Sequence, residues 1–384
     1  MEYPKIVASA VEVAGWKSEM DVYVMGVSIH PAADVIGDTR LEEMAYRTAR
    51  AALDDAGVER RQIDHVTLAG SDEIDARGIT SMLLASPSGA YLKDEMRVTD
   101  SGLTGLHLGA MRAASGDLQL GLVVSWNQSS VGPLEDIARM RAEPFFLRPV
   151  GLNFAIAEGL FASAVAERLG ITERAVAERV RLRLAAAAKN PRAVRRAVPD
   201  PEAITGSPLL AHPLRSGHRA PVTDGAVAMV LASGDWVRAN PGKRPLARIA
   251  GAEWAVDRYQ LNAERLAGLN VFRATLARVL KRAELASIDA LDLVELEAQS
   301  AWADVALVDA MKAGSRVAVN PSGGAWAQNP YFCTGLVHAA EAVLQVAGRA
   351  GGHQVAGAKR ALAHGTSGFA QQTHGFVVME GMDA

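Results

Sequence analysis

The chain alternates between stretches with a helical period of apolar residues and short, nearly continuous apolar runs. Residues 22–27 form the first β-branched run, which predicts a strand. A helical stretch follows, with Thr39 and Glu42 in the spacing of a capping box and Gly57 at its end. Residues 63–68 are again a β-branched run. Helices and strands that alternate in this way predict a layered α/β protein.

The second half of the chain repeats this order. A helical stretch over 272–284 leads to an apolar run over 288–296, just as the first helix leads to a strand. Each half then has a Thr-Gly-Leu sequence that opens an Ala-rich helix and precedes another strand. The two copies lie at 104–106 with the strand 120–125, and at 334–336 with the strand 360–363. Such an internal repeat predicts two similar halves.

Breaks in the pattern divide the chain into segments. Turn-forming residues over 233–245 separate the halves, so we predict an N-terminal half over 20–240 and a C-terminal half over 245–384. About 135–220 is predicted to be a helix-rich insertion, with Thr172 as an N-cap and the Asn-Pro at 190–191 as a stop. Residues 1–19 are either an extension that begins at Met1, or they precede a true start at Met20.

Composition excludes several classes of protein. The 384 residues are 49% hydrophobic and 22% charged, as in globular proteins, and the net charge of −3 gives no reason to expect nucleic acid or an anionic membrane surface as partner. The single cysteine, Cys333, rules out an internal disulfide and favours a reducing cytoplasm. No apolar run reaches roughly 18 residues, so no membrane span is expected. The histidines lack metal-site spacing, so no metal is expected, and dinucleotide and P-loop motifs are missing.

The predicted insertion is locally basic. We interpret its cationic residues either as a solvated helix face or as contacts to the phosphates of a nucleotide-like ligand. They are Arg181, Arg183, Lys189, Arg192, Arg195 and Arg196.

Five glycine-containing motifs occur in a fixed order along 20–382. They lie at 98–106 (VTDSGLTGL), 221–231 (PVTDGAVAMVL), 320–324 (NPSGG), 329–336 (NPYFCTGL) and 364–368 (HGTSG). Together they resemble the active-site loops of the thiolase superfamily, and 151–191 resembles the loop region of its sterol-carrier type. The resemblance implies an α/β thiolase fold, in which duplicated βαβαβ halves form α-β-α-β-α layers. It also implies an acyl-CoA thioester as substrate without a bound cofactor, and a dimer.

The sequence departs from the family pattern at the positions of the family's catalytic residues. Gly102 stands at the position of the nucleophilic cysteine, and Asn329 precedes a proline where the family has His-Pro. Glu297 begins the segment that replaces the family's Asn-Glu-Ala-Phe, and His364 replaces a second cysteine, as in sterol-carrier types. These differences resemble a cysteine-less subgroup. Its members often work beside a second thiolase-like chain or a small zinc-ribbon/OB-fold protein, so a homodimer or such a heteromer is expected.

The missing thiolate removes covalent acyl transfer, because glycine has no side chain to carry an acyl group. Ser101 is one position before Gly102, but its unactivated hydroxyl is expected to point elsewhere. Cys333 is expected to be a buried structural thiol rather than a reactive one. The backbone N–H of Gly102 begins a helix and is predicted to stabilise an enolate oxygen. CoA is predicted to approach the backbone closely at four positions, Asn320, Gly323, Gly324 and Gly365.

Four side chains are candidates for the remaining chemistry. Glu297 is predicted to be a base with a pKa raised toward neutral pH, or else a carboxylate paired with an arginine or a backbone donor. His364 is predicted either in the active site or in a structural hydrogen bond. Tyr331 is a candidate donor to an oxyanion, and Asn329 a candidate to polarise a carbonyl.

Three functions fit this set of residues. The first is retro-aldol cleavage at the β-carbon of an acyl-CoA, in lipid or sterol side-chain breakdown, which needs a base and an enolate site but no nucleophile. The second is a non-catalytic subunit that supports a cysteine-bearing partner. The third is an acetyl-CoA acyltransferase with an unrecognised nucleophile. The apolar segment 145–160 is either core or the wall of an acyl pocket.

Overall fold

The computed structural model describes residues 21–195 and 197–383. The predicted 1–19 extension and the choice between Met1 and Met20 lie outside them. The strands are β1 Val22–Ile29, β2 His65–Ala69, β3 Asp94–Val98, β4 Leu120–Gln128, β5 Leu209–Ala211, β6 Leu214–Arg215, β7 Asp224–Ser233, β8 Ala247–Val256, β9 Leu293–Glu295, β10 Ala318–Val319, β11 Arg360–Ser367 and β12 Thr373–Gly381. The helices are α1 Leu41–Ala56, α2 Thr80–Leu84, α3 Gly102–Ala114, α4 Leu134–Arg141, α5 Phe154–Leu169, α6 Glu173–Ala187, α7 Pro201–Thr205, α8 Gly234–Ala239, α9 Ala263–Gly268, α10 Asn270–Arg282, α11 Ala301–Met311 and α12 Thr334–Val346.

Ten of the strands form one sheet in the order β10-β9-β11-β12-β8-β1-β7-β4-β2-β3. Each half of the chain contributes five neighbouring strands. Counted outward from the centre of the sheet, the order is β1-β7-β4-β2-β3 in the first half and β8-β12-β11-β9-β10 in the second, so each strand of one half has a counterpart in the other. A short antiparallel pairing joins the two groups of five, between Tyr23 and Val24 of β1 and Arg248 and Ala247 of β8. The internal repeat seen in the sequence therefore has a counterpart in the strand order.

Helices cover both groups of strands on both faces. Helices α3 and α12 contact each other, and one buried cluster joins Leu106 of α3 and Val337 of α12 to Met229 of β7 and Val377 of β12. Helix α1 packs on the other side of β1 and β7, and α10 packs on the other side of β8 and β12. These contacts give the α-β-α-β-α layers that the sequence predicts.

Local predictions differ from the structure mainly at element ends. Helix α1 begins at Leu41 with Arg40 as its N-cap and has no side-chain cap. The predicted capping box is wrong, because Thr39 lies one residue before the N-cap. Gly57 does end this helix in the left-handed conformation. Thr172 caps α6 as predicted, by accepting from the Ala175 N–H.

The basic residues of the segment 135–220 are not a uniformly solvated face. Arg183 is buried and pairs with Asp304, at 2.9 Å between Nε and Oδ1. Arg192 pairs with the buried Glu341 at 2.6 Å. These two arginines bind carboxylates, which corrects their interpretation as solvent-exposed or phosphate-binding groups. Arg196 lies outside the described residues.

In the part of the chain that the structure describes, no helix has the length and hydropathy needed to span a bilayer.

Candidate active site

A cavity of about 370 Å³ lies beside the start of α3, between the turn joining β11 to β12 and the first residues of α5. Its wall is mixed. Apolar and aromatic side chains form one part, which includes Ile74, Phe154, Val256, Tyr259, Phe332 and Phe369. Polar and charged side chains form the other part, which includes Asp100, Ser101, Arg141, Glu158, Arg219, Glu297, Gln299 and Tyr331. Polar groups placed against an apolar wall are typical of a small-molecule site.

Glu297 is the buried carboxyl of this cavity. It follows β9, where Gln299 Nε2 donates to its Oε1 at 2.9 Å and the Thr366 N–H donates to its Oε2 at 3.2 Å. Burial raises the pKa of Glu297 to about 8, which the two hydrogen bonds oppose and the charge of Asp100 reinforces. The rise in pKa that the sequence predicted is thus found in the structure, and it favours the protonated carboxyl, a proton donor, at pH 7.

Asn329 lies behind this wall. It is fully buried, its Nδ2 donates to Gln299 Oε1 at 2.8 Å, and its Oδ1 accepts from the Thr334 hydroxyl at 2.7 Å. Because these bonds use both ends of the amide, Asn329 has no group left to polarise a carbonyl. Instead it orients Gln299, which lines the cavity and holds Glu297.

Tyr331 lies in the cavity wall as expected, with its ring 5.4 Å from that of Phe154. Its hydroxyl has no hydrogen-bond partner among residues 21–195 and 197–383. Burial raises the pKa of Tyr331 well above its usual range, so the hydroxyl stays protonated. The side chain is thus suited to donate a hydrogen bond to a ligand oxygen.

Gly102 is the first residue of α3, as predicted, but its N–H is not free. It donates to the Phe332 carbonyl oxygen at 2.9 Å. The predicted role of this N–H as an oxyanion donor is therefore wrong, because a backbone acceptor already uses it. A Cβ at this position would lie 2.9 Å from both Cys333 Cα and Ser125 Oγ, so the position also lacks room for a side chain.

His364 does not face the cavity. Successive residues of a strand point to opposite faces, and Gly365 faces Leu103 of α3 while His364 faces Phe272 of α10. Its Nε2 lies 3.1 Å from His374 Nδ1, and burial moves the pKa of His364 well below its usual value. The structure supports the structural alternative for His364, so its predicted catalytic role is corrected.

The four positions predicted to approach CoA are packed into the interior. The Asn320 side chain bonds both the N–H and the carbonyl of Leu296, at 2.5 and 3.0 Å. A Cβ on Gly323 would lie 2.6 Å from Ala187 Cα, and one on Gly324 would lie 2.6 Å from Asn320 Nδ2. A Cβ on Gly365 would lie 2.8 Å from Leu103 Cβ. None of the four lines this cavity, and the three glycines allow close packing of the backbone. Contact of these positions with CoA stays a prediction.

Cys333 is fully buried, and its Sγ lies 3.8 Å from the Gly225 carbonyl oxygen. Burial raises the pKa of this thiol far above its usual range. A thiol that stays protonated is a poor nucleophile, which agrees with the structural role predicted for it.

Two further residues of the cavity were missed by reasoning from the sequence. Glu158 lies on α5, accepts a hydrogen bond from the Ser300 hydroxyl, and has a pKa raised by burial. Arg219 opposes that rise by its charge, and its Nη1 donates to Glu135 at 2.6 Å. Glu158 did have a signal, because it is a lone charge in the apolar first turns of α5, whereas Arg219 lies in a loop without pattern.

The segment 145–160 divides between two roles. Phe154 lines the cavity and Leu152 belongs to the core. Phe145 and Phe146 are each 79% exposed and Val150 is 73% exposed, so these three form neither core nor cavity wall.

No group of three or more His, Cys, Asp or Glu side chains in the described ranges is arranged to hold a metal ion.

Comparisons with known proteins agree on the architecture. Residues 282–380 match the family model described as "Thiolase C-terminal domain-like". An acetyl-CoA acetyltransferase of Methanothermobacter thermautotrophicus is 27% identical over 375 residues, which cover 91% of this chain and 96% of that protein. Two solved structures superpose over nearly the whole chain. The "Ltp2-ChsH2(DUF35) aldolase" has a TM-score of 0.78 at 18% identity, covering 95% of this chain and 99% of that one. The human mitochondrial 3-ketoacyl-CoA thiolase has a TM-score of 0.75 at 17% identity, covering 94% and 98%.

Proposed function

We propose that this chain is an enzyme of the thiolase superfamily that acts on acyl-CoA thioesters, and that it cleaves the bond between their α- and β-carbons by a retro-aldol reaction. The substrate would be a β-hydroxyacyl-CoA from lipid or sterol side-chain breakdown. The observation that carries the proposal is Glu297, a buried carboxyl with a pKa of about 8, in a cavity whose described residues include no activated nucleophile.

The lack of such a nucleophile among the described residues favours this reaction over acyl transfer. Gly102 has no room for a side chain, and Cys333 is a buried, protonated thiol. The Ser101 hydroxyl caps α3 by accepting from the Thr104 N–H, and no described base activates it. A retro-aldol reaction needs no covalent intermediate. It needs a group that takes the β-hydroxyl proton and another that protonates the enolate.

Glu297 suits the second of these roles. Breaking the bond between the α- and β-carbons leaves its electron pair on the α-carbon of the thioester as an enolate. A neutral carboxyl within the cavity can then protonate that carbon. Tyr331 lines the same cavity and its hydroxyl stays protonated, which supports a role as hydrogen-bond donor to a substrate oxygen. One structural neighbour, described as an aldolase, shares this fold, and that description agrees with the proposed type of reaction.

The test is mass spectrometry of the CoA products and of the intact protein, with the purified chain alone and co-expressed with its gene neighbours. The substrates are a branched β-hydroxyacyl-CoA, and a β-ketoacyl-CoA with free CoA. We expect cleavage of the hydroxy substrate to a carbonyl compound and a shortened acyl-CoA, without an acyl-protein adduct. Thiolysis of the keto substrate, or an adduct on the chain, would refute the proposal.

Glu297→Gln is expected to lower kcat by about 10²–10⁴-fold, while isothermal titration with a non-cleavable acyl-CoA gives an unchanged Kd. The matched control is Glu167→Gln, which changes an exposed carboxyl on α5.

A second candidate is a subunit that supports a cysteine-bearing thiolase. The observation favouring it is the exposed apolar segment with Phe145, Phe146 and Val150, which follows Arg141 of the cavity wall in the sequence. In this case the chain alone gives no product, thiolysis appears only with the partner, and Glu297→Gln has no effect on it.

A further inference from the structure

We propose that Glu158 is a second catalytic residue of this cavity, the base that removes the β-hydroxyl proton of the substrate. The inference rests on the proposed retro-aldol function and supplies the proton acceptor that this reaction requires.

Glu158 and Glu297 reach the same cavity from different elements. Glu158 projects from α5, and Glu297 lies on the segment between β9 and α11. Ser300, the N-cap of α11, connects the two glutamates. It lies three residues after Glu297 in the chain, and its hydroxyl donates to Glu158 Oε1. The acidic side chains are thus fixed relative to each other through one short segment.

One oxygen of Glu158 is available to a substrate. Its Oε1 accepts from Ser300, whereas its Oε2 has no hydrogen-bond partner in the described part of the chain. The residue is only 9% exposed, and that exposure is to the cavity it lines. Because no protein donor uses Oε2, a substrate hydroxyl in the cavity can serve as its hydrogen-bond partner.

The charges around the two carboxyls differ. Burial raises the pKa of Glu158, but the hydrogen bond from Ser300 and the positive charge of Arg219 lower it. Burial also raises the pKa of Glu297, no arginine charge offsets that rise, and the charge of Asp100 adds to it. The positive charge of Arg219 favours the ionised form of Glu158, and the negative charge of Asp100 disfavours that of Glu297. Together with the position of both residues in the cavity wall and the available Oε2 of Glu158, this difference supports Glu158 as the base and Glu297 as the acid.

Other groups near Glu158 fit the role of base less well. Both oxygens of Glu135 are engaged, with Arg219 at 2.6 Å and the Ala155 N–H at 3.0 Å. Both oxygens of the exposed Asp100 are also engaged, with Ser367 and Thr104 hydroxyls at 2.6 and 2.7 Å. Tyr331 stays protonated.

The step balances without a further reactant. Glu158 takes the proton of the β-hydroxyl, and the O–H electron pair forms the carbonyl double bond. The bond between the α- and β-carbons breaks, and its electron pair moves to the thioester as an enolate. Glu297 gives its proton to the α-carbon. The products are an aldehyde or ketone and a shortened acyl-CoA, and the two carboxyls regain their starting states by exchange with water.

The experiment compares Glu158→Gln, Glu297→Gln and the control Glu167→Gln in two reactions. The first is cleavage of a branched β-hydroxyacyl-CoA. The second is solvent deuterium exchange at the α-carbon of the shortened acyl-CoA, which needs proton transfer at that carbon but no β-hydroxyl. We expect Glu158→Gln to lose about 10²–10⁴-fold in cleavage and to keep exchange within about threefold. Glu297→Gln is expected to lose both reactions, and Glu167→Gln neither.

Cleavage by Glu158→Gln within about threefold of the unaltered chain would overturn the assignment of Glu158 and leave the proposed function standing. Loss of both reactions in Glu158→Gln would also overturn it, because the residue would then support the site as a whole. If the unaltered chain does not cleave the hydroxy substrate, the proposed function is overturned. The role assigned to Glu158 is then overturned as well. Circular dichroism of each variant checks that the fold is retained.

Discussion

Gly102 packs directly against the backbone of Cys333. A Cβ built on Gly102 would lie 2.9 Å from Cys333 Cα, closer than real Cβ atoms approach backbone. The position that the sequence resemblance assigns to a nucleophilic cysteine is therefore closed by Cys333, which carries the only thiol of the chain. Placing a cysteine at position 102 would require the start of α12 to move.

Gly102→Ala is expected to lower the free energy of unfolding by about 1–3 kcal/mol, because the added methyl group overpacks the contact with Cys333. Gly102→Cys is expected to destabilise similarly and to gain no thiolysis activity. Urea denaturation measures the first effect, and a thiolysis assay measures the second. Gly242→Ala serves as control, since a Cβ built at this glycine would meet no heavy atom of the described residues within 4 Å. Thiolysis by Gly102→Cys would show that the site can open.

Asn320→Ala is expected to lower the free energy of unfolding by about 1–3 kcal/mol, because it leaves the buried N–H and carbonyl of Leu296 without partners. Its effect on the Kd of an acyl-CoA should be less than about threefold, since Asn320 does not line the cavity. Chemical denaturation and calorimetric titration separate the two quantities. A large loss of CoA affinity with unchanged stability would restore the role that the motif implied.

The buried histidines predict a loss of stability in acid. The pKa of His338 is lowered to about 4 and that of His374 to about 3, chiefly by burial, so both are neutral in the folded state. Unfolded histidine titrates near 6.5, so their stabilising effect is complete above that pH and is lost as pH falls toward 4 and 3. Thermal denaturation at a series of pH values between about 7 and 4 measures this loss of stability.

Replacing His364 and His374 together by leucine removes both partners of their mutual contact. We expect the double variant to lose less stability between about pH 6.5 and 4 than the unaltered chain. Its turnover should stay within about threefold, because neither ring lines the cavity. His30→Gln, which changes a histidine outside this cluster, is the control. Abolished turnover with an intact fold would return His364 to the active site.

The raised pKa of Glu295 predicts a loss of stability at alkaline pH, whereas the histidines predict one in acid. It is fully buried, and burial together with the charge of Glu341 raises its pKa to about 8, despite a 2.6 Å hydrogen bond from Ser322. An unfolded glutamate titrates near 4.5, so its stabilising effect is complete below that pH and is lost as pH rises through 8. Glu295→Gln should flatten the decline in unfolding free energy between about pH 5 and 9. An unchanged slope would contradict the assignment.

The pH dependence of cleavage reports on Glu297. If its carboxyl donates the proton to the enolate, kcat should fall as pH rises through about 8. Gln299→Leu removes the donor to Oε1, which raises the pKa of Glu297 and should move this decline to higher pH. A rate that instead rises through about pH 8 would make Glu297 the base and reverse the assignment of roles.

The duplicated α/β order, the helix beginning at Gly102 and the lack of a side chain at that position all follow from the sequence alone, because periodicity, motif order and residue identity are local properties. Which face of β11 turns toward α3 is not local, and so His364 was expected in the active site although its ring faces Phe272 of α10. The same holds for the use of the Gly102 N–H by Phe332, and for the meeting of Glu158 and Glu297 in one cavity. Those outcomes depend on contacts between distant segments, and only the tertiary packing of the two halves brings such segments together.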